Sequence, residues 1–288
     1  MSLSESDRYL EEREQEHLEA IQEFLRIPSV SAVPEHQGDV RRAAEWLADY
    51  LRRIGVPEVE LLPTERNPVV FGAWHVDDAQ PTAMIYGHYD VQPPDPLDLW
   101  TSPPFEPQLR DGKLYARGAS DDKGNVMVAL QGVEALVRTQ GRPPINLKFF
   151  FEGEEEIGSP SLPAFMPNHR EKLACDFIIS ADGGQPSLDQ PGVTLTAKGI
   201  AACQVNVRTA ATDLHSGMFG AAVPNAAQVT AHLAASFHTP DGRVAVEGFY
   251  DRVRELSEEE RAELAAAQAS AGPYWEKVGA PALWGEPG

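Results

Sequence analysis

Four short stretches hold the residues that could do chemistry: His88-Tyr89-Asp90, Asp121-Asp122-Lys123-Gly124, Glu152-Gly153-Glu154-Glu155-Glu156 and Asp182-Gly183-Gly184. Each has an ordinary explanation when taken singly. A histidine beside a turn aspartate is common in loops, and two acids entering a helix serve as its N-cap and complement its dipole. Asp-Gly-Gly makes a plain turn. The glutamate run resists that reading, because it follows directly on the strand-like residues 147–151. Carboxylates crowded at the end of a central strand repel one another unless cations neutralise them.

Together, one imidazole and several carboxylates make a ligand set suited to zinc, manganese or cobalt. Two such cations roughly 3.5–4 Å apart can share a hydroxide and polarise a carbonyl. That chemistry needs a bridging carboxylate, terminal ligands and a general base. On an extended backbone His88 and Asp90 point the same way, and a metal-bound imidazole commonly gives its second N–H to a carboxylate. Among Glu154, Glu155 and Glu156 the residues alone leave the base unassigned.

The elements that must position these groups follow from periodicity. Leu10, Leu18, Ile21, Phe24 and Leu25 predict one amphipathic helix over residues 4–26, ended by Pro28. Trp46, Leu47, Leu51 and Ile54 predict a second over 39–54, stopped by Gly55. Apolar runs at 59–62, 69–74, 83–86, 146–151 and 176–180 predict strands, and 109–115 a hairpin turning at Asp111-Gly112. Val126, Leu130, Val133 and Leu136 predict a helix starting near Lys123, and residues 162–173 predict another. Strands alternating with helices predict an α/β fold, with a mostly parallel central sheet and helices on both faces. In such sheets ligands bind outside the carboxyl ends of the strands, so the four stretches converge on one edge. The character changes near Pro191: 193–207 reads as one or two strands, 225–237 as an Ala-rich helix and 257–270 as a charged helix. The expected organisation is a domain over residues 1–192 and a smaller α+β domain over 193–288.

Composition bounds the rest. The 288 residues are 42 % apolar, enough for a sizeable core, and the formal net charge is −20. That charge argues against nucleic acid and against an anionic membrane surface as partners. Cys175 and Cys203 stand in no metal-ligand spacing and read as buried, reduced thiols, which favours the cytoplasm. The N-terminus is charged from Glu5 onward, without an apolar signal region, and no apolar run reaches the length of a membrane span.

In this order the motifs resemble the dinuclear zinc exopeptidases that include carnosinase, aminoacylase, acetylornithine deacetylase and succinyl-diaminopimelate desuccinylase. The wording is most similar to the cytosolic dipeptidase and carnosinase branch. It rests on Tyr86-Gly87-His88-Tyr89-Asp90-Val91-Gln92-Pro93, Asp111-Gly112-Lys113-Leu114-Tyr115-Ala116-Arg117-Gly118, Asp121-Asp122-Lys123-Gly124, residues 152–159 and Asp213-Leu214-His215-Ser216-Gly217. The resemblance implies a phosphorylase/hydrolase-like catalytic domain carrying an inserted lid and dimerisation domain. It implies an exopeptidase that cleaves the amide bond of dipeptides or short peptides, using a metal-bridging hydroxide and a glutamate base. Two divalent ions are implied, Zn2+ first, with Mn2+ or Co2+ as alternatives. His88 then resembles the imidazole ligand of one ion, Asp90 its orienting carboxylate, Asp121 the bridge and Asp182 the second carboxylate on the His88 ion. The following Ile157-Gly158-Ser159 sets the register, implying Glu155 as base and Glu156 as ligand of the other ion. His215 is implied to reach the active site of a partner subunit in a homodimer and to hold substrate oxygens.

The family pattern has one more histidine ligand after the second domain. His232 and His238 do not match it, which implies a chain stopping inside that domain and leaving a sheet edge exposed. N-acyl amino-acid deacylase and carboxypeptidase activities remain the alternatives within the family. A non-catalytic fragment or metal-binding module is the alternative outside it.

Overall fold

The computed structural model describes residues 4–185, 192–194, 199–271 and 279–280. The chain divides into two compact units, Met1–Gly192 and Val193–Gly288.

The first unit is built on a five-stranded sheet. Its strands are β1 (Glu58–Leu62), β2 (Val69–Trp74), β3 (Thr82–His88), β6 (Asn146–Glu152) and β7 (Phe177–Ser180), in the order β1-β2-β6-β3-β7. β4 (Gln108–Arg110) and β5 (Lys113–Tyr115) form a separate hairpin. Asp111 and Gly112 both take positive φ in its turn, which the Asp-Gly pair accommodates.

The sheet is mixed rather than mostly parallel. β3 runs parallel to β6 and to β7, while β2 is antiparallel to both β6 and β1. Connection length gives the reason: residues 63–68, between the neighbours β1 and β2, and residues 75–81, between β2 and β3 on either side of β6, are too few for the crossover that parallel strands of one sheet require. Period-2 alternation along the central strands divides their side chains between two helical layers. Ile85, Phe149 and Phe151 join a core with Phe24 of α2 (Glu14–Leu25), Leu47 and Leu51 of α3 (Gln37–Ile54), and Val126 and Leu130 of α4 (Lys123–Gln140). Met84, Phe150 and Phe71 face Phe165 of α5 (Leu162–Asn168) and Leu173 of α6 (Arg170–Leu173).

The expected first helix is broken. α1 (Glu5–Glu12) ends at Arg13, where the backbone leaves helical geometry, and α2 follows. The break lets α1 lie along α4 through Tyr9 Oη–Glu134 and Ser6–Thr139 hydrogen bonds, while α2 turns Phe24 and Leu25 into the core. α3 carries its buried residues at helical spacing and ends at Gly55 in a left-handed cap, φ 101°. β7 is the sheet edge: Phe177, Ile178 and Ile179 are exposed, and among the described residues no strand pairs beyond it.

In the second unit the described residues form α7 (Ser216–Phe219), α8 (Ala226–Ala235) and α9 (Glu258–Ala271). Asn225 caps α8 by accepting from the Ala227 and Gln228 N–H groups. The strands expected over 193–207 are not formed by its described residues, 193–194 and 199–207; residues 195–198 lie outside the described set. The β content among described residues is a single bridge, His238 with Val244. Cys175 is half-buried and Cys203 exposed, so the expectation of two buried thiols fails; Cys203 lies in a stretch without strand partners, and both thiols are free. No helix among the described residues is long and apolar enough to cross a membrane.

Candidate metal centre

Strand register brings the motifs together. His88 ends β3 opposite Glu152, which ends β6, and Tyr86 lies opposite Ser180 of β7. The turns leaving β6 and β7 therefore emerge beside His88 with Glu155, Glu156 and Asp182. The N-terminus of α4 delivers Asp121 and Asp122 from below: the His88 N–H donates to Asp122 Oδ2 at 3.0 Å. Gly87 makes this approach possible, since a Cβ there would stand 2.5 Å from both Asp122 Oδ2 and Val126 Cγ2. Asn125 Nδ2 donates to the carbonyls of Ser120 and Gly183 at 2.6 and 3.0 Å, tying the Asp121 loop to the Asp182 turn.

His88 is fully buried, and its Nε2 lies 3.0 Å from Asp121 Oδ1, 3.9 Å from Glu155 Oε2 and 4.0 Å from Asp182 Oδ2. Among the described residues, His88, Asp121 and Asp182 form a group whose ligand atoms all lie within 4.8 Å of one another. Separations of 3–4 Å suit neighbouring ligands of a zinc ion bound at about 2.0–2.2 Å. The donor set fits one borderline divalent cation.

The other side chains fall around this trio. His88 Nδ1 faces the Asp90 carbonyl at 3.1 Å and the Asp90 carboxylate at 3.4 Å, so Asp90 grips the ring mainly through its backbone. The buried Asp90 carboxylate accepts from Ser31 Oγ at 2.6 Å and from the Glu155 and Glu156 N–H groups, each at 3.2 Å. Glu154 turns away from the trio: its carboxylate accepts from Asn67 N, Thr64 Oγ1, Ser161 N and Ser161 Oγ. Of the three consecutive glutamates, Glu155 alone is within 4 Å of the imidazole. Glu156 is outside the trio and is held by Gln92, whose Nε2 donates to Oε2 at 2.8 Å and whose backbone N–H donates to Oε1 at 3.2 Å. His215 belongs to the second unit, where its Nδ1 accepts from the Gly217 N–H at 3.1 Å and caps α7. It lines a cavity of about 920 Å3 with Arg208, Thr209, Asp213 and Asn225.

The electrostatics match a site short of positive charge. Burial pushes the His88 pKa down, but the Asp90 hydrogen bond and the charges of Asp90, Asp122 and Glu155 outweigh it and lift the value to about 10. Asp122 is pushed up to about 7 by burial, against the hydrogen bond from His88 N–H. Burial also raises Glu155, helped by Glu156, Asp182 and Asp90 and opposed by His88.

Three contributors have partners that no local sequence signal reveals, although Gln92 and Lys123 fall within the quoted motifs. Gln92, Ser31 and Lys123 are ordinary residue types whose partners lie 59 or more positions away, as in the 96-residue separation of Lys123 and Ile27. Lys123 is fully buried and donates to the Ile27 and Phe24 carbonyls at 2.6 and 3.1 Å, anchoring the start of α4 to the end of α2.

A family model described as Peptidase family M20/M25/M40 matches residues 84–281. The human Beta-Ala-His dipeptidase is 31 % identical over 269 residues, covering 88 % of this chain and 53 % of the relative. The cysteinylglycine-S-conjugate dipeptidase of Corynebacterium striatum is 31 % identical over 229 residues, covering 79 % and 50 %. A solved M20 family metallo-carboxypeptidase from Sulfolobus solfataricus is 34 % identical with a TM-score of 0.78, covering 93 % of this chain and 60 % of that one. The chain thus spans about half the length of the curated relatives it matches. The matched span takes in His88, Asp121, Glu155, Glu156, Asp182 and His215, and the chain belongs to the peptidase family M20/M25/M40.

Proposed function

We propose that the chain provides the metal-binding catalytic part of an exopeptidase that hydrolyses dipeptides or short peptides. The observation that carries this reading is the convergence of His88, Asp121 and Asp182 on one point, with the Glu155 carboxylate 3.9 Å from His88 Nε2. Bound divalent cations, two of them and Zn2+ first, would polarise the scissile carbonyl and make the attacking water more acidic. His88, Asp121 and Asp182 would hold the first, and Asp121 and Glu156 would contribute to the second. Asp90 and Asp122 fix the His88 ring and backbone. Glu155 accepts the proton of the attacking water and returns it to the leaving amine; its raised pKa suits both halves of that transfer. Unit 193–288 acts as a lid and dimerisation domain, and in a homodimer the His215 of one subunit reaches the active site of the other and donates to the substrate oxygen on which negative charge develops. The free cysteines support a reducing, cytoplasmic setting.

A substrate panel tests the reading. Dipeptides, N-acetyl and N-succinyl amino acids, and longer peptides read from the carboxyl end are incubated with the chain, with and without a chelator. The expected result is chelator-sensitive release of both amino acids from dipeptides. Preference for N-acyl substrates would move the chain to the deacylases, and preference for long peptides to the carboxypeptidases. Cation uptake without any hydrolysis would leave a metal-binding module.

A further inference from the structure

The turn that carries Glu155 and Glu156 is gripped by the segment leaving β3. Asp90 accepts from both glutamate N–H groups. Two residues on, Gln92 donates from its backbone N–H to Glu156 Oε1 at 3.2 Å and from Nε2 to Glu156 Oε2 at 2.8 Å and to the Glu156 carbonyl at 3.0 Å. Residues two apart on an extended chain point the same way, so this segment addresses the turn twice. The chain beyond Gln92 is pinned as well: Arg117 Nη2 donates to the Pro93 carbonyl at 3.2 Å and Trp100 Nε1 to the Pro94 carbonyl at 2.7 Å.

We propose that Gln92 is the positioning residue of Glu156, holding its carboxylate in the orientation in which it receives a divalent cation. This rests on the reading of Glu156 as a cation ligand given under Proposed function. Each carboxylate oxygen has two acceptor sites, and Gln92 occupies one on each, so one on each stays open. An amide suits the task. It supplies donors without positive charge, whereas a lysine or arginine at 92 would neutralise Glu156 and compete with the cation. Carboxylate ligands are commonly held in this way by hydrogen bonds behind them, and removing such a partner costs about 10–100-fold in metal affinity.

The test is a double-mutant cycle on cation binding by the full chain, read by calorimetric titration of the metal-free protein with Zn2+ and Co2+. The variants are Gln92→Met, which keeps the side chain's length and loses the Nε2 donor, Glu156→Gln, and both together. Expected: Gln92→Met weakens cation binding about tenfold or more, and the same change has no added effect once Glu156→Gln is present. The Co2+ absorption spectrum of Gln92→Met should shift as well, while the thermal midpoint of the metal-free protein moves little. Gln92→Met with unchanged affinity overturns the proposal, and so does an equal loss in the Glu156→Gln background. If Glu156→Gln binds cations as the parent does, Glu156 is not a ligand and the underlying assignment fails. A parent chain that takes up no cation overturns both.

Discussion

His88 and Lys123 lie side by side in function and opposite in charge logic. In the metal-free chain His88 is held protonated up to about pH 10, against an ordinary value of 6.5. Its contribution to stability is therefore complete below pH 6.5 and is lost as pH rises toward 10. Burial lowers Lys123 to about 7 from 10.5. Between those values the unfolded chain carries a proton that the folded chain lacks, so this residue makes stability rise with pH. The two contributions oppose each other over roughly the same window. Relative to the parent, His88→Gln should tilt the urea-midpoint profile upward from pH 7 to 9.5, and Lys123→Met downward; parallel profiles in all three proteins would contradict the assignment. Glu155→Gln should keep cation uptake and lose about 10²–10⁴-fold in turnover, measured as kcat on the best dipeptide. The ligand types were legible in the sequence because imidazole and carboxylate chemistry is carried by residue type. The residues alone left the register among Glu154, Glu155 and Glu156 open; the resemblance implies it through Ile157-Gly158-Ser159, and the fold adds that Glu154 is taken up by the Thr64, Asn67 and Ser161 hydrogen bonds. The motifs include Gln92 and Lys123, but the hydrogen bonds these two make were not legible, because the partners lie far along the chain.

At the scale of elements, the centre depends on how closely the N-terminus of α4 approaches the end of β3. Gly87 sets that distance. Gly87→Ala should cost about 1–3 kcal/mol through overpacking and should weaken cation binding, because Asp122 and the Asp121 loop must move. Gly132, within α4, is the control: an added Cβ meets nothing within 4 Å, and Gly132→Ala should be neutral or stabilise by about 0.5–1 kcal/mol. Chemical denaturation compares the two; equal destabilisation would show that the close approach at Gly87 is not what limits the site. The strands and helices of the first unit were largely visible, since the apolar run of β6 is buried on both faces and helical spacing in α3 and α4 records which face each residue buries. Strand direction was not visible. It follows from the short connections at 63–68 and 75–81, and composition says nothing about which neighbour a strand chooses. The stretch 193–207 looked strand-like through its apolar residues, yet Ile200 and Cys203 are exposed there and its described residues pair with no strand.

At the scale of the whole molecule, the division at Gly192 puts the candidate cation ligands His88, Asp121 and Asp182 in one unit and His215 in the other. His215→Ala should leave cation affinity unchanged within about twofold. It should lower kcat/KM by about 10²–10³, the usual loss for one donor to a developing oxyanion. A change in cation affinity would instead make His215 a ligand. The formal charge of −20 argues against a nucleic-acid partner from composition alone, whereas the proposed division of work between the two units rests on motif order. The central claim is that His88, Asp121 and Asp182 form one cation site, and the most direct measurement is a Zn2+ titration of the metal-free chain beside Asp121→Asn. Stoichiometric uptake that weakens by about a hundredfold or more in the variant is the predicted result, a loss at or above what outer-shell changes cause. Equal affinity in the two proteins would contradict it.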